Sequence, residues 1–371
     1  MINFKLSEEQ ELLRQTARDF ANNELKNNVV YRDQNKIWPS EQIKKMSKLG
    51  FLGMMASPKW NGGGMDTISY AIAMEEISAV DASAGVIMSV NNSLVCYLIE
   101  YFGNDFQKEK YLSQLSTGRK LGAFSLSEPQ SGSDASNMIT TAVKDGDSYI
   151  LNGTKNWVTN GINSDLVLVF ALTTKGIGHK GISCFIVEKG SPGFECGKAE
   201  DKLGIRASDT CELYFDNVKV SSKNLIGKEG EGFKIALATL DGGRIGIAAQ
   251  ALGIAKASLD ATLVYSKERE QFGKPISSNQ AIQFKIADMA MEIEAARLLT
   301  WKAAWSKDNK QNFSSLASMA KVYASEVAMR ASTQCVQVHG GYGFIQETGV
   351  ERLMRDAKIT QIYEGTSEIQ R

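Results

Sequence analysis

Five short segments hold the residue types and spacings with which this sequence could do chemistry. They are Leu126–Asp134, Lys155–Gly161, Arg269–Gly273, Gln337–Gly343 and Tyr363–Glu368. Each combines polar or charged side chains with glycine or an aromatic residue. Together they offer a carboxylate for acid–base work, an arginine for binding an anion, and glycines where a ligand could approach the backbone closely.

The spacing within these segments indicates how each would present its side chains. Trp157 and Thr159 are two residues apart, so an extended segment places both on the same side. Arg269 lies at the end of a predicted helix and is followed by Pro275. The glycines of Gln337–Gly343 end another predicted helix. Glu364 lies near the C-terminus, where a glutamate without further context is most often a solvated loop residue.

Several other chemistries lack their residues. The only two histidines are His179 and His339, and no H-E-x-x-H pattern occurs, so a zinc site is not expected. Neither G-x-S-x-G nor a Walker A sequence is found, and no cysteine–histidine nucleophile pairing is apparent. Gly176–Gly181 matches G-x-G-x-x-G, but the residues that follow, Ile182–Val187, form a strand pattern rather than a helix. We therefore predict a hairpin loop there and not a dinucleotide site.

Composition places the chain among globular proteins with a large core. It has 371 residues, 43% hydrophobic and 23% charged, with 42 basic and 42 acidic side chains. A net charge of zero argues against a dominant nucleic-acid surface. Five cysteines without a C-x-x-C pair suggest reduced thiols in a cytosol-like compartment. Met1–Gln10 has no apolar signal-peptide region, and the longest strongly apolar run, near Leu166–Leu172, is too short to span a bilayer.

The elements that must position the five segments fall into three parts. Helical patterns fill residues 1–120, beginning with a capping box at Ser7–Gln10. Short strands separated by turns fill residues 121–227, among them Tyr149–Leu151 before an expected turn at Asn152–Gly153. Helical patterns without internal proline return over residues 228–371. Because helices and strands are segregated, we predict an α+β fold with an N-terminal helical domain, a middle β barrel or sandwich, and a C-terminal four-helix-bundle-like domain.

In this order the five segments resemble those of the acyl-CoA dehydrogenase family, and the resemblance covers essentially the whole chain. Two more segments, Ser89–Leu94 and Leu240–Ala248, look most like its short-chain (butyryl-CoA) members. The resemblance implies the family's fold and its reaction, the α,β-dehydrogenation of an acyl-CoA to the trans-2-enoyl-CoA. A base removes the α-proton and the β-hydrogen passes as hydride to N5 of FAD.

Glu364 matches the base of that reaction, which suits a chain with no metal site or histidine pair. The adjacent Gly365 would leave room for the substrate. Some members, such as the isovaleryl and long-chain types, place their base at the position of Gly243, where glycine cannot serve. This departure strengthens the assignment to Glu364 and the short, straight-chain interpretation. Burial beside flavin and thioester is expected to raise the pKa of the carboxyl group toward the operating pH.

The resemblance also assigns binding roles. Substrate contacts are expected from Ser133, Asp241, Arg244 and Gly365, although Asp241 and Arg244 could equally form an ion pair on a helix surface. Trp157 could instead be a barrel-core aromatic, and Arg269 a solvated cation at a helix end. Some FAD contacts, from Arg269, Gln280 and Gln337–Gly341, would reach a neighbouring subunit. The residues expected to contact FAD are Phe124, Leu126, Ser127, Ser133, Trp157, Thr159, Arg269, Gln271, Phe272, Gln280, Gln337, Val338, Gly340, Gly341, Thr366 and Glu368.

The implied partners are an acyl-CoA substrate and an electron-transferring flavoprotein, with a homotetramer as the assembly and neither nucleic acid nor membrane involved. Bacterial cytoplasm and mitochondrial matrix both fit as locations. Three alternatives stay open: an acyl-CoA oxidase, an enoyl-CoA reductase coupled to a bifurcating flavoprotein, and a non-catalytic acyl-CoA- or FAD-binding relative. Ser367–Gln370 matches a second capping box, yet the sequence stops at Arg371, so we expect it to end short of the relatives' C-terminal helix.

Overall fold

A computed structural model describes residues 5–371; the first four residues, part of the segment in which no signal peptide is predicted, lie outside the described range. The N-terminal part is helical. Ser7 caps the first helix with the predicted capping box, since its side chain accepts from the Gln10 backbone and the Gln10 side chain accepts from the Ser7 backbone. The helices are α1 Glu8–Phe20, α2 Val29–Asn35, α3 Ser40–Lys48, α4 Thr67–Val80, α5 Ala82–Ser89, α6 Tyr97–Phe102, α7 Asp105–Gln107 and α8 Ser113–Leu115, with π-helical turns at Ala21–Leu25, Val90–Cys96 and Lys108–Leu112.

The middle part is a single eight-stranded sheet. In it, β6, β7, β3, β2, β4, β5 and β8 follow one another, and β1 pairs in parallel with β4. The strands are β1 Gly122–Ser125, β2 Thr141–Asp145, β3 Ser148–Thr159, β4 Leu166–Leu172, β5 Ile182–Glu188, β6 Phe194–Cys196, β7 Thr210–Ser221 and β8 Leu225–Ile226. The sheet curls around an apolar cluster of its own, which draws side chains from β1, β2, β3, β4, β5 and β7.

Both faces of the central strands are buried, which explains their unbroken apolar sequence. Along β4, Leu166, Leu168 and Phe170 pack into the helical core, whereas Val167 and Val169 pack into the cluster inside the sheet. The prediction for the G-x-G-x-x-G segment is confirmed: it connects β4 to the antiparallel β5 through a short 3₁₀ turn at Gly178–Gly181.

The predicted turn at Asn152–Gly153 was wrong, because β3 continues through it to Thr159. The pairing of β3 with β7 shifts register between Leu151 and Gly153. A Cβ atom on Gly153 would lie 2.4 Å from Oγ1 of Thr140. The glycine is therefore required where two segments approach closely, and not where the chain reverses.

The C-terminal part consists of long helices packed side by side. The elements are α9 Gly232–Glu268, β9 Glu270–Gln271, β10 Lys274–Pro275, α10 Gln280–Asp308, α11 Ser314–His339, α12 Gly341–Phe344, α13 Val350–Thr360 and α14 Ser367–Gln370. α9, α10 and α11 contact one another, α13 packs against α9 and α11, and α4 of the N-terminal part packs against α9. The predicted boundaries at 120/121 and 227/228 fall in loops between elements, and we propose them as the domain limits.

The second predicted capping box was wrong by one residue. Thr366, not Ser367, precedes α14 as its N-cap, and its hydroxyl oxygen accepts from the backbone N–H of Ile369. The Gln370 side chain, which would have completed a box with Ser367, bonds to backbone carbonyls instead. The Gln370 side chain, which the sequence pattern assigns to helix capping, thus holds the turn at Glu364 and Gly365.

Two helical stretches have the length and composition of a membrane span, Ala82–Phe102 and Gly232–Glu268. Of their most apolar windows, 94% and 61% are buried inside the protein. Core helices of globular proteins have the same composition, so this is weak evidence for a membrane location.

Candidate active site

Glu364 lies in the turn between α13 and α14, with backbone torsions that project its carboxylate inward. Its φ angle is 51° and that of Gly365 is 95°, so two consecutive residues adopt left-handed conformations. The residue is half-buried as a whole, but its Oε2 atom is shielded from solvent and has no hydrogen-bond partner among the described residues. An unpaired buried carboxylate oxygen costs free energy, and such groups are found where a function requires them.

Gly243 on α9 provides the space that this carboxylate occupies. A Cβ atom at Gly243 would lie 2.2 Å from Oε2 of Glu364 and 2.8 Å from Cδ2 of Leu94. Any side chain there would displace the glutamate. The structure thus gives a steric reason for glycine at the position where some family members are expected to place their base.

The electrostatic surroundings suit Glu364 to proton transfer near neutral pH. Burial raises the pKa of the carboxyl group to about 7, although the charges of Lys321 and Arg244 oppose part of that rise. The pKa of a general base is most effective near the operating pH. The turn before it is held by Tyr363, whose hydroxyl donates to the side chain of the fully buried Gln250.

The loop Leu126–Asp134 is anchored by a buried ion pair that sequence reasoning missed. Nζ of Lys155 lies 2.9 Å from Oε1 of Glu128, and both side chains are 0% exposed. The same Nζ donates to the Leu126 carbonyl at 3.0 Å, and the carboxylate of Glu128 accepts from the backbone N–H groups of Ile139 and Thr140. Both residues lie inside segments singled out for their chemistry, but nothing in their spacing indicated that they pair.

Burial and pairing act in opposite directions on the pKa values of the two residues. Burial lowers the pKa of Lys155 to about 8 against the opposing effect of Glu128. Burial favours a higher pKa for Glu128, but the Lys155 charge and the Ile139 donor outweigh it, so the net pKa is lowered. The pair therefore keeps the carboxylate ionised beneath the loop.

Trp157 and Thr159 lie on the strand next to this loop. The backbone N–H of Asn156 donates to the Ser127 carbonyl at 2.9 Å, which joins the two segments. Trp157 has a φ of 60° at a second register shift in β3, and its side chain is 61% exposed. An exposed indole in a strained conformation does not fit the alternative of a barrel-core aromatic. Thr159 is half-buried beyond the buried Val158.

The remaining loop residues differ in accessibility. The Phe124 ring packs 5.0 Å from that of Phe170 and is half-buried. Leu126 is buried, Ser127 is half-buried and Ser133 is exposed. The π-helical turn Val90–Cys96 links this region to Glu364, because Val95 packs against Gly122 of β1 and Leu94 against Gly243.

A second cluster of the expected residues lies at the far end of α9. Phe272 and Gly273 have φ angles of 55° and 78° and form a tight turn between β9 and β10, with the Phe272 side chain 97% exposed. The Arg269 guanidinium lies 5.7 Å from the ring centre of Tyr342, beyond the end of α11. Gln271 is exposed, Gln280 begins α10, and Gln337 and Val338 belong to the last turn of α11. A Cβ atom at Gly340 or Gly341 would meet nothing within 4 Å.

This second cluster is too far from Glu364 for one chain to bring both to the same small site. Gly243 and Arg269 are separated along α9 by roughly 39 Å at 1.5 Å per residue. The structure therefore brings together the Glu364 turn, Gly243 and the β1–β3 segments, and separately the Arg269 hairpin with the end of α11.

Of the residues expected to bind the substrate or to flank the base, Gly365 and Thr366 directly follow Glu364, and Asp241 and Arg244 lie beside Gly243 on α9. Nη1 of Arg244 is 2.6 Å from Oδ1 of Asp241 and 3.2 Å from Oγ of Ser318, so the alternative of an ion pair on the helix is present. Thr366 caps α14 and Glu368 is exposed on it. No group of three or more His, Cys, Asp or Glu side chains in residues 5–371 could hold a metal ion.

Comparison with known proteins matches all three parts of the chain. The models for the acyl-CoA dehydrogenase N-terminal, middle and C-terminal domains match residues 7–119, 123–218 and 230–371. The mitochondrial short-chain specific acyl-CoA dehydrogenase of Rattus norvegicus is 51% identical over 367 residues, covering 99% of this chain and 89% of its own.

Solved structures agree. Butyryl-CoA dehydrogenase from Megasphaera elsdenii superposes with a TM-score of 0.98 at 50% identity, covering 100% of this chain and 97% of its own. A second match is a chain in the structure of the electron-transferring flavoprotein of Acidaminococcus fermentans, which was solved toward a mechanism of flavin-based electron bifurcation. Its TM-score is 0.98 at 51% identity, covering 100% of this chain and 97% of its own. An FAD complex of PigA gives a TM-score of 0.95 at 30% identity, covering 100% of this chain and 97% of its own. The chain belongs to the acyl-CoA dehydrogenase family.

Proposed function

We propose that this protein catalyses the FAD-dependent α,β-dehydrogenation of a short-chain acyl-CoA to the trans-2-enoyl-CoA, with Glu364 as the base that takes the α-proton. One observation carries the proposal. A carboxylate oxygen without a partner, on a group whose pKa burial raises to about 7, fills the space left open by Gly243. Binding alone would need no such group, which argues against a non-catalytic relative.

The chain supplies a base and a donor at the same turn. Glu364 would remove a weakly acidic α-proton with a carboxylate oxygen that is shielded from solvent and has no hydrogen-bond partner among the described residues. Its backbone N–H makes no hydrogen bond within the described residues. That N–H is available to donate to the thioester carbonyl oxygen, on which negative charge develops as the proton leaves.

The residues present fit FAD. An exposed indole at Trp157, the half-buried Thr159 and the loop at Leu126–Ser133 form a platform for a planar ring, and Arg269 with Gly340 and Gly341 offers a cation and open backbone for a pyrophosphate. When bound, the flavin supplies the acceptor for the β-hydrogen. Because the Arg269 cluster lies far from Glu364, it would contribute to the FAD of a neighbouring subunit in a homotetramer.

An electron-transferring flavoprotein would reoxidise the enzyme, in keeping with the relative from Acidaminococcus fermentans. That relative also favours a second candidate, an enoyl-CoA reductase that runs the same chemistry in reverse with a bifurcating flavoprotein. Both use Glu364, as base in one direction and as acid in the other. We propose a location in a bacterial cytoplasm or a mitochondrial matrix.

Anaerobic titration of the purified holoprotein tests the proposal. Butyryl-CoA should bleach the oxidised flavin promptly, and octanoyl-CoA and isovaleryl-CoA should not. Glu364→Gln should slow bleaching by about 10²–10⁴-fold while ligand binding stays intact. A flavin that no acyl-CoA bleaches, or a Glu364→Gln variant with unchanged turnover, would overturn the assignment. If crotonyl-CoA reoxidises the dithionite-reduced protein faster than butyryl-CoA bleaches the oxidised protein, the reductase is favoured. Rapid peroxide formation in a separate turnover assay in air would favour the oxidase.

A further inference from the structure

Lys321 is a fully buried lysine on α11 that points at the turn containing Glu364. Its Nζ donates to the carbonyl oxygen of Gly365 at 2.6 Å. It has no carboxylate within ion-pair distance in the described part of the chain, whereas the other fully buried lysine, Lys155, has one. A buried ammonium group without an ion-pair partner is costly, so its position calls for a function.

Gln370 holds the same turn from the other side. Its Nε2 donates to the carbonyl of Glu364 at 3.1 Å and to that of Gly365 at 3.0 Å. The Gly365 carbonyl thus accepts from two buried side chains, one charged and one neutral. These bonds fix the two successive left-handed residues, a conformation that is strained at the non-glycine Glu364.

We propose that Lys321 is a positioning residue for the reaction: through the Gly365 carbonyl it locks the turn that aims the Glu364 carboxylate into its cavity, and it places a buried positive charge beside that turn. Gln370 shares the first task only, because it is neutral. The inference rests on the proposed role of Glu364, which the variant Glu364→Gln tests separately.

Several charged or titratable groups act on the carboxylate or on Lys321. Lys321 is on α11, Arg244 on α9 and Tyr70 on α4, and Tyr363 directly precedes Glu364 in the turn. Glu368 on α14 interacts with Lys321. Burial lowers the pKa of Lys321 to about 8, and the Glu364 charge opposes that change. Only Lys321 and Arg244 lower the pKa of Glu364. Arg244 is already engaged by Asp241, which leaves Lys321 as the cation without its own counterion.

The test uses Lys321→Met and Gln370→Leu holoproteins, which keep the side-chain volume and remove the donor. Both should bleach with butyryl-CoA about 10- to 100-fold more slowly at saturating substrate, since a small misplacement of a reacting group has effects of this size. Only Lys321→Met should move the midpoint of the pH profile upward. The Glu364 carboxyl group can also be titrated by infrared spectroscopy without any turnover, and its band is identified by its loss in Glu364→Gln. The pH midpoint of that titration should likewise move upward in Lys321→Met. Lys302→Met, an exposed lysine on α10, is the matched control.

The outcomes separate the two proposals. If Glu364→Gln loses bleaching but Lys321→Met keeps both the wild-type rate and the wild-type infrared midpoint, Lys321 has no positioning role. If Lys321→Met does not fold, two other variants decide. Flavin bleaching at the wild-type rate in Gln370→Leu would refute the locking of the turn. An unshifted infrared midpoint of the Glu364 carboxyl group in Lys321→Gln would refute the effect of the charge. If Glu364→Gln itself bleaches normally, the proposed function fails before this inference is reached.

Discussion

At the scale of single residues, the absence of a side chain at position 243 matters as much as the glutamate it faces. Gly243→Ala would place a methyl group 2.2 Å from Oε2 of Glu364, so the carboxylate must move. We expect bleaching by butyryl-CoA to slow by about 10²-fold with the flavin retained. The neighbouring Gly242→Ala is the control, because its methyl group would meet only the flexible end of Lys307 at 3.3 Å. Equal rates in the two variants would contradict the steric account.

The proposed base, Glu364, should also set the pH dependence of flavin bleaching. In its proposed role as the base, Glu364 acts only when ionised, and burial raises its pKa to about 7. The rate constant of flavin bleaching should therefore rise with pH through about 7 and level off above it. Stopped-flow measurements from pH 5.5 to 9, at roughly half-unit steps, would show this limb. A rate that is flat across neutral pH would mean that deprotonation of Glu364 does not limit the reaction.

At the scale of elements, the loop before β2 and the strand β3 depend on the buried pair of Glu128 and Lys155. Lys155→Met leaves the Glu128 carboxylate buried without its cation, which destabilises a protein by roughly 3–5 kcal/mol. Urea unfolding should show this loss, together with weaker flavin retention, since the loop carries Ser127 and the strand carries Trp157. The exposed pair of Lys219 and Asp145 in the same sheet, 3.3 Å apart, gives the control. Lys219→Met should change stability by about 1 kcal/mol or less, and an equal effect of both variants would be evidence against the anchor.

The elements also show how far sequence reasoning reaches. Local signals were sufficient where one physical cause decides the structure, as for the Ser7 capping box, the hairpin at Gly176–Gly181 and the start of β5 at Ile182. They failed where a distant contact decides it. Gly153 was interpreted as a turn because its partner Thr140 is not its neighbour in sequence, and Gln370 was assigned to capping because the carbonyls it holds lie outside the helix. The pairing of Glu128 with Lys155 is invisible for the same reason. The resemblance of whole segments pointed to Glu364, whose role as the base stays a prediction.

At the scale of the whole molecule, the separation of the two proposed groups of FAD-binding residues predicts that flavin binding and assembly are coupled. The Phe272 hairpin and Arg269 lie at the end of α9 remote from Glu364, and the 97% exposure of Phe272 has no explanation within one chain. If this hairpin completes the FAD site of a neighbouring subunit, FAD binds only the assembled form. FAD then stabilises that form by mass action. Adding FAD should then drive subunits together, and diluting the protein should release FAD.

Phe272→Ser tests this coupling. Sedimentation velocity with detection at the flavin absorbance should show the wild-type protein as one flavin-bearing homotetramer. The variant should lose flavin as the protein is diluted, and added FAD should restore both the larger species and its colour. Tyr31→Ser, which removes a 60% exposed aromatic from α2, is the matched control and should behave as the wild type. A Phe272→Ser protein that keeps its flavin at every dilution would place the whole FAD site within one chain. The Arg269 cluster would then need another role, because nearly 40 Å of helix separates it from Glu364.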